Sequence, residues 1–437
     1  MIRVALILAA TLFAALPARA AVEIEQVESP GGIKAWLVQE DELPFTALEI
    51  RFKGGTSLDA DGKRGAINLM TGLIEEGAGD MDAQGFAAAL ETLAADFDFS
   101  VGADALSVSA RFLNETRDES VALLKTALTD PRFDEDAVER VRGQVLSGIR
   151  SDATDPDSLA WRAFDAYAFP DHPYATNGDG TAESVAALTR DDLFEAHQRI
   201  LTRDHIYVGA VGDITPEELG RLLDELLGDL PAEGAPYPDE AQMDFEAGVT
   251  VVPFASPQST AVFGHEGLER DDPDYFAAYV MNQILGGGSF TSRLFEEVRE
   301  KRGLTYGVYT YLSDWDYADV LNGQIKSANG TIAEAIDLIR AEWRKMAEDG
   351  VTEEELEDTK TYLTGSYPLR FDGNGRIARI LVGMQMIGLP PEYIETRNAN
   401  IEAVTMEDIK RVAERILRPD RLHFVVVGQP EGLETTN

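Results

Sequence analysis

The sequence predicts an α+β protein made of two homologous α/β-sandwich halves, with mixed or antiparallel sheets covered by helices. Three observations lead to this prediction. The chain has 437 residues, more than one ordinary domain contains. A pattern of strands and helices in its first part returns in its second part at nearly constant spacing. A segment rich in proline and glycine, Pro231–Pro238, separates the two parts and is typical of a linker.

Each half opens with an alternating strand and a helix that ends in glycine. The predicted strand is Thr46–Phe52 in the first half and Thr260–His265 in the second. The helix that follows the strand ends near Gly77 in the first half and near Gly286 in the second. The two halves therefore begin with the same pair of elements.

Each half also closes with a buried strand that ends in glycine. The strand is Ile206–Gly212 in the first half and Leu422–Gly428 in the second, so the two final glycines are 216 residues apart. Gly77 and Gly288 are 211 residues apart. Such similar spacings favour a duplication of about 210 residues over a chance similarity of two α/β patterns.

Helix starts and a hairpin complete the expected elements. A threonine followed three residues later by an acidic residue predicts a capped helix start, and this pattern occurs at Thr189, Thr215, Thr352 and Thr405. Phe97–Phe112 alternates around the turn Gly102–Asp104, which predicts a β-hairpin. Hairpins interrupted by helices favour an α+β sandwich over a doubly wound parallel sheet.

The N-terminal residues have the features of a signal peptide. A positive charge at Arg3 precedes the apolar stretch Val4–Leu16 and the cleavage pattern Ala18–Ala20. The alternative, a membrane anchor, would require a longer apolar stretch. We therefore predict a signal peptide at 1–20, an N-terminal domain at 21–230, a linker at 231–240 and a C-terminal domain at 241–437. The predicted location is the periplasm or the medium, without membrane insertion.

Composition excludes several classes of site. The chain contains no cysteine, so it has neither a disulfide framework nor a thiolate metal site nor a cysteine nucleophile. Its 38 basic residues stand against 78 acidic residues, a formal net charge of −40. Such a charge repels nucleic acid and anionic lipid, so we expect neither as a partner. It favours a role in solubility, with a preference for basic peptides as the alternative.

A glycine run in the second half is the most distinctive motif. Gly286, Gly287 and Gly288 precede a helix that carries Arg299 near its end. Tyr306 follows seven residues later, so both side chains could reach one point. A fixed charge and a hydroxyl donor are what a peptide carbonyl or a developing oxyanion requires. The alternative is a solvated helix end next to a core tyrosine.

The stretch Gly286–Tyr309 resembles the C-terminal domain signature of the pitrilysin, insulysin and mitochondrial-processing-peptidase family of inverted zinc peptidases. His172–Tyr174, the loop around Gly178, and Val211–Asp213 are similar to the N-terminal domain of that family. The resemblance runs from about Val22 to the C-terminus. It implies that Arg299 and Tyr306 assist substrate binding and transition-state stabilisation, with the glycine run beside the substrate.

The resemblance also shows what the N-terminal domain lacks. Active members carry His-x-x-Glu-His on the first helix, and a further glutamate about 75 residues later. The corresponding positions here are Asn68, Thr71 and Gly72, and Gly148 replaces the distal ligand. The only five histidines are His172, His197, His205, His265 and His423, and no two of them have i, i+4 spacing. The sequence therefore predicts no metal in this chain. We expect Glu75 and Glu76, which diverge on the helix, to be solvated.

The resemblance implies a function for a chain without zinc ligands. We expect the non-catalytic subunit of a heteromeric zinc metallopeptidase that hydrolyses peptides, inactive when isolated. A homologous zinc-binding subunit would be its partner in a heterodimer or larger assembly, and zinc would be held by that partner. Arg299 and Tyr306 would act across the interface. The alternatives are a peptide-binding or scaffolding pseudoenzyme with no hydrolytic role, and an enzyme with an unrelated site.

Overall fold

The structure is a computed structural model that describes residues 23–288 and 290–436. The predicted signal peptide at 1–20 lies outside the described residues. In the described part of the chain, no helix combines the length and the apolar character needed to cross a membrane. The described residues form two α/β halves, each built around one large sheet.

A six-stranded mixed sheet forms the centre of the N-terminal half, beside a separate two-stranded ribbon. The strands are β1 (Glu25–Glu28), β2 (Lys34–Gln39), β3 (Phe45–Lys53), β4 (Gly77–Ala78), β5 (Met81–Asp82), β6 (Asp96–Val101), β7 (Ala105–Leu113) and β8 (Ile206–Gly212). The large sheet has the order β1-β2-β8-β3-β7-β6, and β4 pairs with β5 in the ribbon. In the large sheet β2 and β8 are parallel, whereas the other neighbours are antiparallel.

A five-stranded mixed sheet forms the centre of the C-terminal half. Its strands are β9 (Gly248–Pro253), β10 (Gln258–Glu266), β11 (Thr305–Trp315), β12 (Ala318–Ala328) and β13 (His423–Gly428). They have the order β11-β12-β10-β13-β9, in which β9 and β13 are parallel and the other neighbours antiparallel.

The two sheets share one topology. The N-terminal order β2-β8-β3-β7-β6 corresponds strand by strand to the C-terminal order β9-β13-β10-β12-β11, with the parallel pair at the same place. Only β1 has no counterpart in the described part of the second sheet. The predicted α+β fold with two homologous halves is therefore confirmed.

The helices of the N-terminal half are α1 (Ala66–Thr71), α2 (Ala83–Leu93), α3 (Arg117–Thr129), α4 (Glu135–Asp152), α5 (Pro156–Ala168), α6 (Ala182–Ala187), α7 (Arg190–Ile200) and α8 (Pro216–Leu227). With the exception of α5, they belong to the layer on one face of the sheet of their own half. In α8, Leu219, Leu222, Leu223 and Leu226 recur at helical spacing, and all four are buried. They belong to the same hydrophobic core as Ile50 of β3.

The C-terminal half has an equivalent arrangement. Its helices are α9 (Tyr275–Leu285), α10 (Ile332–Asp349), α11 (Glu353–Ser366), α12 (Asn374–Met386), α13 (Tyr393–Ala403) and α14 (Met406–Ile416), with a short π-helical segment at Phe295–Glu300. The apolar stripe of α14, Ile409, Val412, Ala413 and Ile416, is buried. It packs in one core with Trp343 of α10 and Phe263 of β10.

The halves exchange one helix each. α5, from the N-terminal half, packs on β10 and β13 of the other sheet, where Phe164 contacts a cluster that contains Val262 and Val425. α12, from the C-terminal half, packs on β3 and β8, where Leu381 joins a cluster with Val211. Each sheet is therefore covered on one face by its own helices and on the other by a helix of the opposite half.

The expected local elements are present. All four predicted threonine caps form reciprocal capping boxes, at Thr189, Thr215, Thr352 and Thr405. The predicted hairpin is β6–β7, closed by a hydrogen bond from the Gly102 amide to the Ala105 carbonyl at 2.9 Å. These features depend on neighbouring residues only, which explains why the sequence predicted them.

The helix predicted to end near Gly77 is shorter. α1 ends at Thr71, and the Gly72 amide still donates to the Asn68 carbonyl at 3.2 Å. The following amides of Leu73 and Ile74 bond to carbonyls three residues back, which are turn contacts. Both side chains are fully buried. Burial of this apolar pair in the core therefore breaks the helical path that the sequence predicted.

The predicted linker packs closely against its surroundings. Between α8 and β9 the described chain forms neither helix nor strand. The Arg203 amide donates to the Pro231 carbonyl at 2.8 Å, and the Ala241 amide donates to the Tyr317 carbonyl at 2.9 Å. The segment thus contacts both halves, while the predicted domain bounds remain predictions.

A buried tryptophan–histidine pair stabilises the C-terminal half. The Trp343 indole donates to Nε2 of His265 at 2.9 Å, and both residues have no exposed surface. Nδ1 of His265 bonds to the Glu266 carbonyl at 2.8 Å, and burial lowers the pKa of His265 to about 4, so the ring is neutral. His265 is therefore part of the buried core of this half.

We expect Trp343→Phe to lower the free energy of unfolding by about 2–4 kcal/mol, because it removes buried ring atoms and leaves His265 without a donor. Urea denaturation at pH 7 measures this change. Trp161→Phe is the matched control, because its indole bonds to Gln324 at 3.3 Å in a partly exposed place. Equal losses for the two variants would contradict the role assigned to the buried pair.

Candidate functional site

The positions that correspond to zinc ligands lie on α1 and α4. Asn68 is half-buried, and the Thr71 hydroxyl donates to the Ile67 carbonyl at 2.8 Å within the helix. Gly72 follows the helix end, where an added Cβ would lie 3.2 Å from Cγ1 of Val141 on α4. Gly148 is exposed, and an added Cβ there would meet no atom within 4 Å.

These side chains do not fit a zinc ion. Structural and catalytic zinc is held by imidazole, thiolate or carboxylate groups, whereas the four positions offer one amide, one engaged hydroxyl and two glycines. Across residues 23–288 and 290–436 there is no group of three or more His, Cys, Asp or Glu side chains that could hold a metal.

We expect the purified chain to retain no stoichiometric zinc after mixing with one equivalent and gel filtration, because glycine supplies no ligand. Elemental analysis of the protein peak measures the zinc content. One zinc per chain, lost in the Asn68→Ala variant, would contradict this prediction and restore a metal site at α1.

Arg299 lies at the end of the π-helical segment and is held by aromatic rings. Its guanidinium carbon is 4.4 Å from the ring centre of Phe295 and 5.9 Å from that of Phe290. Its Nη1 atom lies 3.8 Å from Oε1 of Glu300, which is a long ion pair. About a third of the Arg299 side chain is exposed. The ring contacts fix the charge at the surface without neutralising it.

Tyr306 lies at the start of β11 and is 87% exposed. Backbone hydrogen bonds from Gly303 to Arg299 and from Leu304 to Val298 return the chain beside the π-helical segment. The structure records no direct contact between the side chains of Arg299 and Tyr306 in the described residues. It places them on consecutive elements, and their joint action on a ligand remains a prediction.

The glycine run is shaped by close packing as well as by its backbone. An added Cβ at Gly286 would lie 2.7 Å from the Thr310 hydroxyl, and one at Gly287 would lie 2.6 Å from Cα of Gln283. Gly288 has a φ of +89°, which favours glycine. The Thr310 amide donates to the Gly286 carbonyl at 2.9 Å. The run therefore holds the loop against β11, and its contact with a substrate remains a prediction.

Two further aromatic residues were missed by the sequence reasoning. Tyr309 and Tyr311 follow Tyr306 along β11, which forms the edge of the C-terminal sheet, and are 37% and 46% exposed. Their alternate spacing in a strand is a signal that could have identified them. An edge strand with exposed tyrosines offers both backbone groups and rings to an extended peptide.

The sequence predicted that the adjacent acids Glu75 and Glu76 are both solvated, and the structure corrects this prediction. The two carboxylate oxygens of Glu76 accept hydrogen bonds from the two terminal guanidinium nitrogens of Arg140, each at 2.6 Å. Glu75 is half-buried, and burial together with the nearby Asp98 raises its pKa to about 7. The turn after α1 causes this difference, because it directs the two side chains into unlike surroundings.

Known proteins of similar sequence and structure match most of the chain. A family model described as the peptidase M16 inactive domain matches residues 187–363, which include Arg299 and Tyr306. A non-peptidase homolog, YmxG, of Helicobacter pylori is 28% identical over 88% of this chain and 89% of its own length. An uncharacterized zinc protease of Mycobacterium leprae is 27% identical over 89% of this chain and 88% of its own length.

A solved structure extends the match to nearly the whole fold. The peptidase M16 inactive domain from Pseudomonas fluorescens superposes with a TM-score of 0.85 at 27% identity, covering 95% of this chain and all of that chain. This chain is therefore similar to the M16 peptidases over nearly its whole length. The expected place among the pitrilysin-type peptidases is thereby confirmed. The matches described as an inactive domain and as a non-peptidase homolog agree with the substitutions at Asn68, Thr71, Gly72 and Gly148 in this chain.

Proposed function

We propose that this chain is the non-catalytic subunit of a heteromeric zinc metallopeptidase that hydrolyses peptides. One contrast carries the proposal. The positions for zinc ligands hold side chains that do not fit the metal, whereas the Arg299 and Tyr306 segment retains a partly exposed charge, paired only loosely with Glu300, and a tyrosine that is 87% exposed. A segment that faces outward suits action on a ligand held by another subunit.

The roles of the two side chains follow from their chemistry. Zinc in the partner subunit would supply an activated water. The Arg299 guanidinium, fixed by the Phe295 ring, would attract the carbonyl oxygen of the bound peptide as negative charge develops on it. The Tyr306 hydroxyl would donate a second hydrogen bond. The exposed edge of β11 would align the peptide backbone beside both groups.

Reconstitution with a homologous subunit that carries His-x-x-Glu-His tests the proposal. The partner is obtained by co-purification from the native host. We expect neither subunit alone to cleave a quenched-fluorescent peptide library, and the complex to cleave it in a chelator-sensitive, zinc-restored manner. Hydrolysis by the purified single chain would refute the proposal. Equal hydrolysis by the partner with and without this chain would favour a scaffolding role.

We also propose that the chain is exported after removal of residues 1–20. Sequencing of the protein isolated from the periplasm of the native host is expected to begin at Ala21. A chain that begins at Met1 and stays with the cytoplasmic fraction would contradict export. Both subunits of the proposed complex would then need a signal peptide.

A further inference from the structure

A cavity of about 290 Å³ opens beside Asn68, between the two halves. Its wall combines the β6–β7 turn, α5 and the end of β11, and Asp165, Tyr174 and Trp315 line it. Its volume is at the lower end of the range for small-ligand sites, which suits a single side chain or a small amine.

Asp165 has an unusual environment in this cavity. Its Oδ1 is enclosed, and no donor among the described residues lies within hydrogen-bond distance of it. Burial alone raises the pKa of Asp165 to about 7, and no cation among residues 23–288 and 290–436 offsets the effect. A carboxylate oxygen that is enclosed without a donor is costly, so its presence needs an explanation.

The other charged groups of the cavity are already paired. Arg64 donates to the carbonyls of Pro173 and Thr176 at 3.1 and 2.8 Å and pairs with Asp59 at 3.4 Å. Asp179 accepts the Asn177 side-chain amide at 3.2 Å. In contrast, the described residues supply no donor to the enclosed oxygen of Asp165.

Aromatic rings lie on the same wall. The ring centres of Tyr174 and Trp315 are 4.7 Å apart, and Phe169 packs against both, at 5.5 Å from Tyr174 and 5.1 Å from Trp315. The Tyr174 hydroxyl is engaged with Asp104 at 2.5 Å, so the ring is held in place. Fixed rings beside a buried carboxylate attract organic cations with an apolar stem.

We propose that this cavity binds a primary ammonium group of a peptide, with Asp165 as its counter-ion and the rings of Tyr174 and Trp315 along its alkyl stem. The group would come from a lysine side chain or from an amino terminus, which share this chemistry. The proposal goes beyond the proposed function and does not rest on it, because all of these residues belong to this chain.

Binding to the purified full chain by isothermal titration calorimetry at pH 8 tests the proposal. The probes are Nα-acetyl-lysine N-methylamide, its neutral norleucine counterpart, and norleucine N-methylamide with a free α-amino group. We expect one of the two ammonium probes to bind at least about 10-fold more tightly than the neutral probe, as a charge-assisted hydrogen bond predicts. The stronger of the two identifies the source of the ammonium group.

Asp165→Asn is expected to abolish that preference, whereas Asp171→Asn, at an exposed position outside the cavity, is expected to retain it. Circular dichroism checks that both variants fold. Carbon-13 NMR of labelled aspartate supplies a second measurement, because the bound cation should lower the pKa of Asp165. Equal binding of charged and neutral probes, no binding at about 10 mM, or an unchanged preference in Asp165→Asn would overturn the proposal.

Discussion

Arg299→Ala is expected to reduce kcat/KM of the reconstituted complex by about 100- to 1000-fold, the loss that follows removal of one oxyanion donor. The expected change is mainly in kcat, because the interaction strengthens as charge develops on the carbonyl oxygen. Steady-state hydrolysis of a quenched-fluorescent peptide by the complex measures it. The Phe295 ring, 4.4 Å from the guanidinium carbon, holds the Arg299 charge in place.

Arg302→Ala is the matched control for this loss. Arg302 lies three residues after Arg299 and is exposed. Its guanidinium donates to the Glu297 carboxylate at 2.8 Å, and no contact with the substrate is proposed for it. We expect the control to keep the parent rate. Tyr306→Phe, which removes only a hydroxyl, should lose about 10-fold or more. If a complex with Arg299→Ala assembles and cleaves at the parent rate, this chain acts only as a scaffold.

Asp165→Asn is expected to raise the free energy of unfolding at pH 8 by about 2–4 kcal/mol. The folded pKa of Asp165 is about 7, above its ordinary value of 3.8, so the folded state favours the protonated carboxyl. This contribution to stability is complete below about pH 4 and is lost as pH rises through 7. Asparagine stays neutral, so the variant keeps the stability that the parent loses.

Urea denaturation of parent and variant at pH 4 and pH 8 measures the effect. At pH 4 the two proteins should differ by no more than about 0.5 kcal/mol. Asp61→Asn, at an exposed turn, is the control, and its free energy of unfolding should match that of the parent at both pH values. If the gain in the free energy of unfolding at pH 8 is no larger than that of the control, water reaches Asp165 and removes the cost of burying its charge.

Elements defined by neighbouring residues could be predicted from the sequence. The boxes at Thr215 and Thr405 need only a threonine and an acid three residues apart, and the duplicated strands need only their alternation. The absence of zinc ligands at Asn68 and Gly72 could also be predicted, because the family resemblance identified these two positions as those of the ligands.

Features that depend on distant contacts could not be predicted. The burial of Leu73 and Ile74 ends α1 early, and the sequence shows only an apolar pair. Asp165 appears as one acid among 78, and its isolation arises only when Trp315, from the other half, closes the cavity. Both outcomes follow from packing between segments that lie far apart in the chain.

The mutual covering of the two sheets constrains how such a protein could have originated. A single repeat, with the sequence of either half, would leave Val211 or Val425 and their neighbours in water, because the helix that shields them comes from the other repeat. A one-repeat ancestor would therefore have needed a second copy of itself, each lending a helix, before gene fusion joined them. Fragments 23–230 and 241–436 should accordingly be soluble when co-expressed and aggregate when expressed apart.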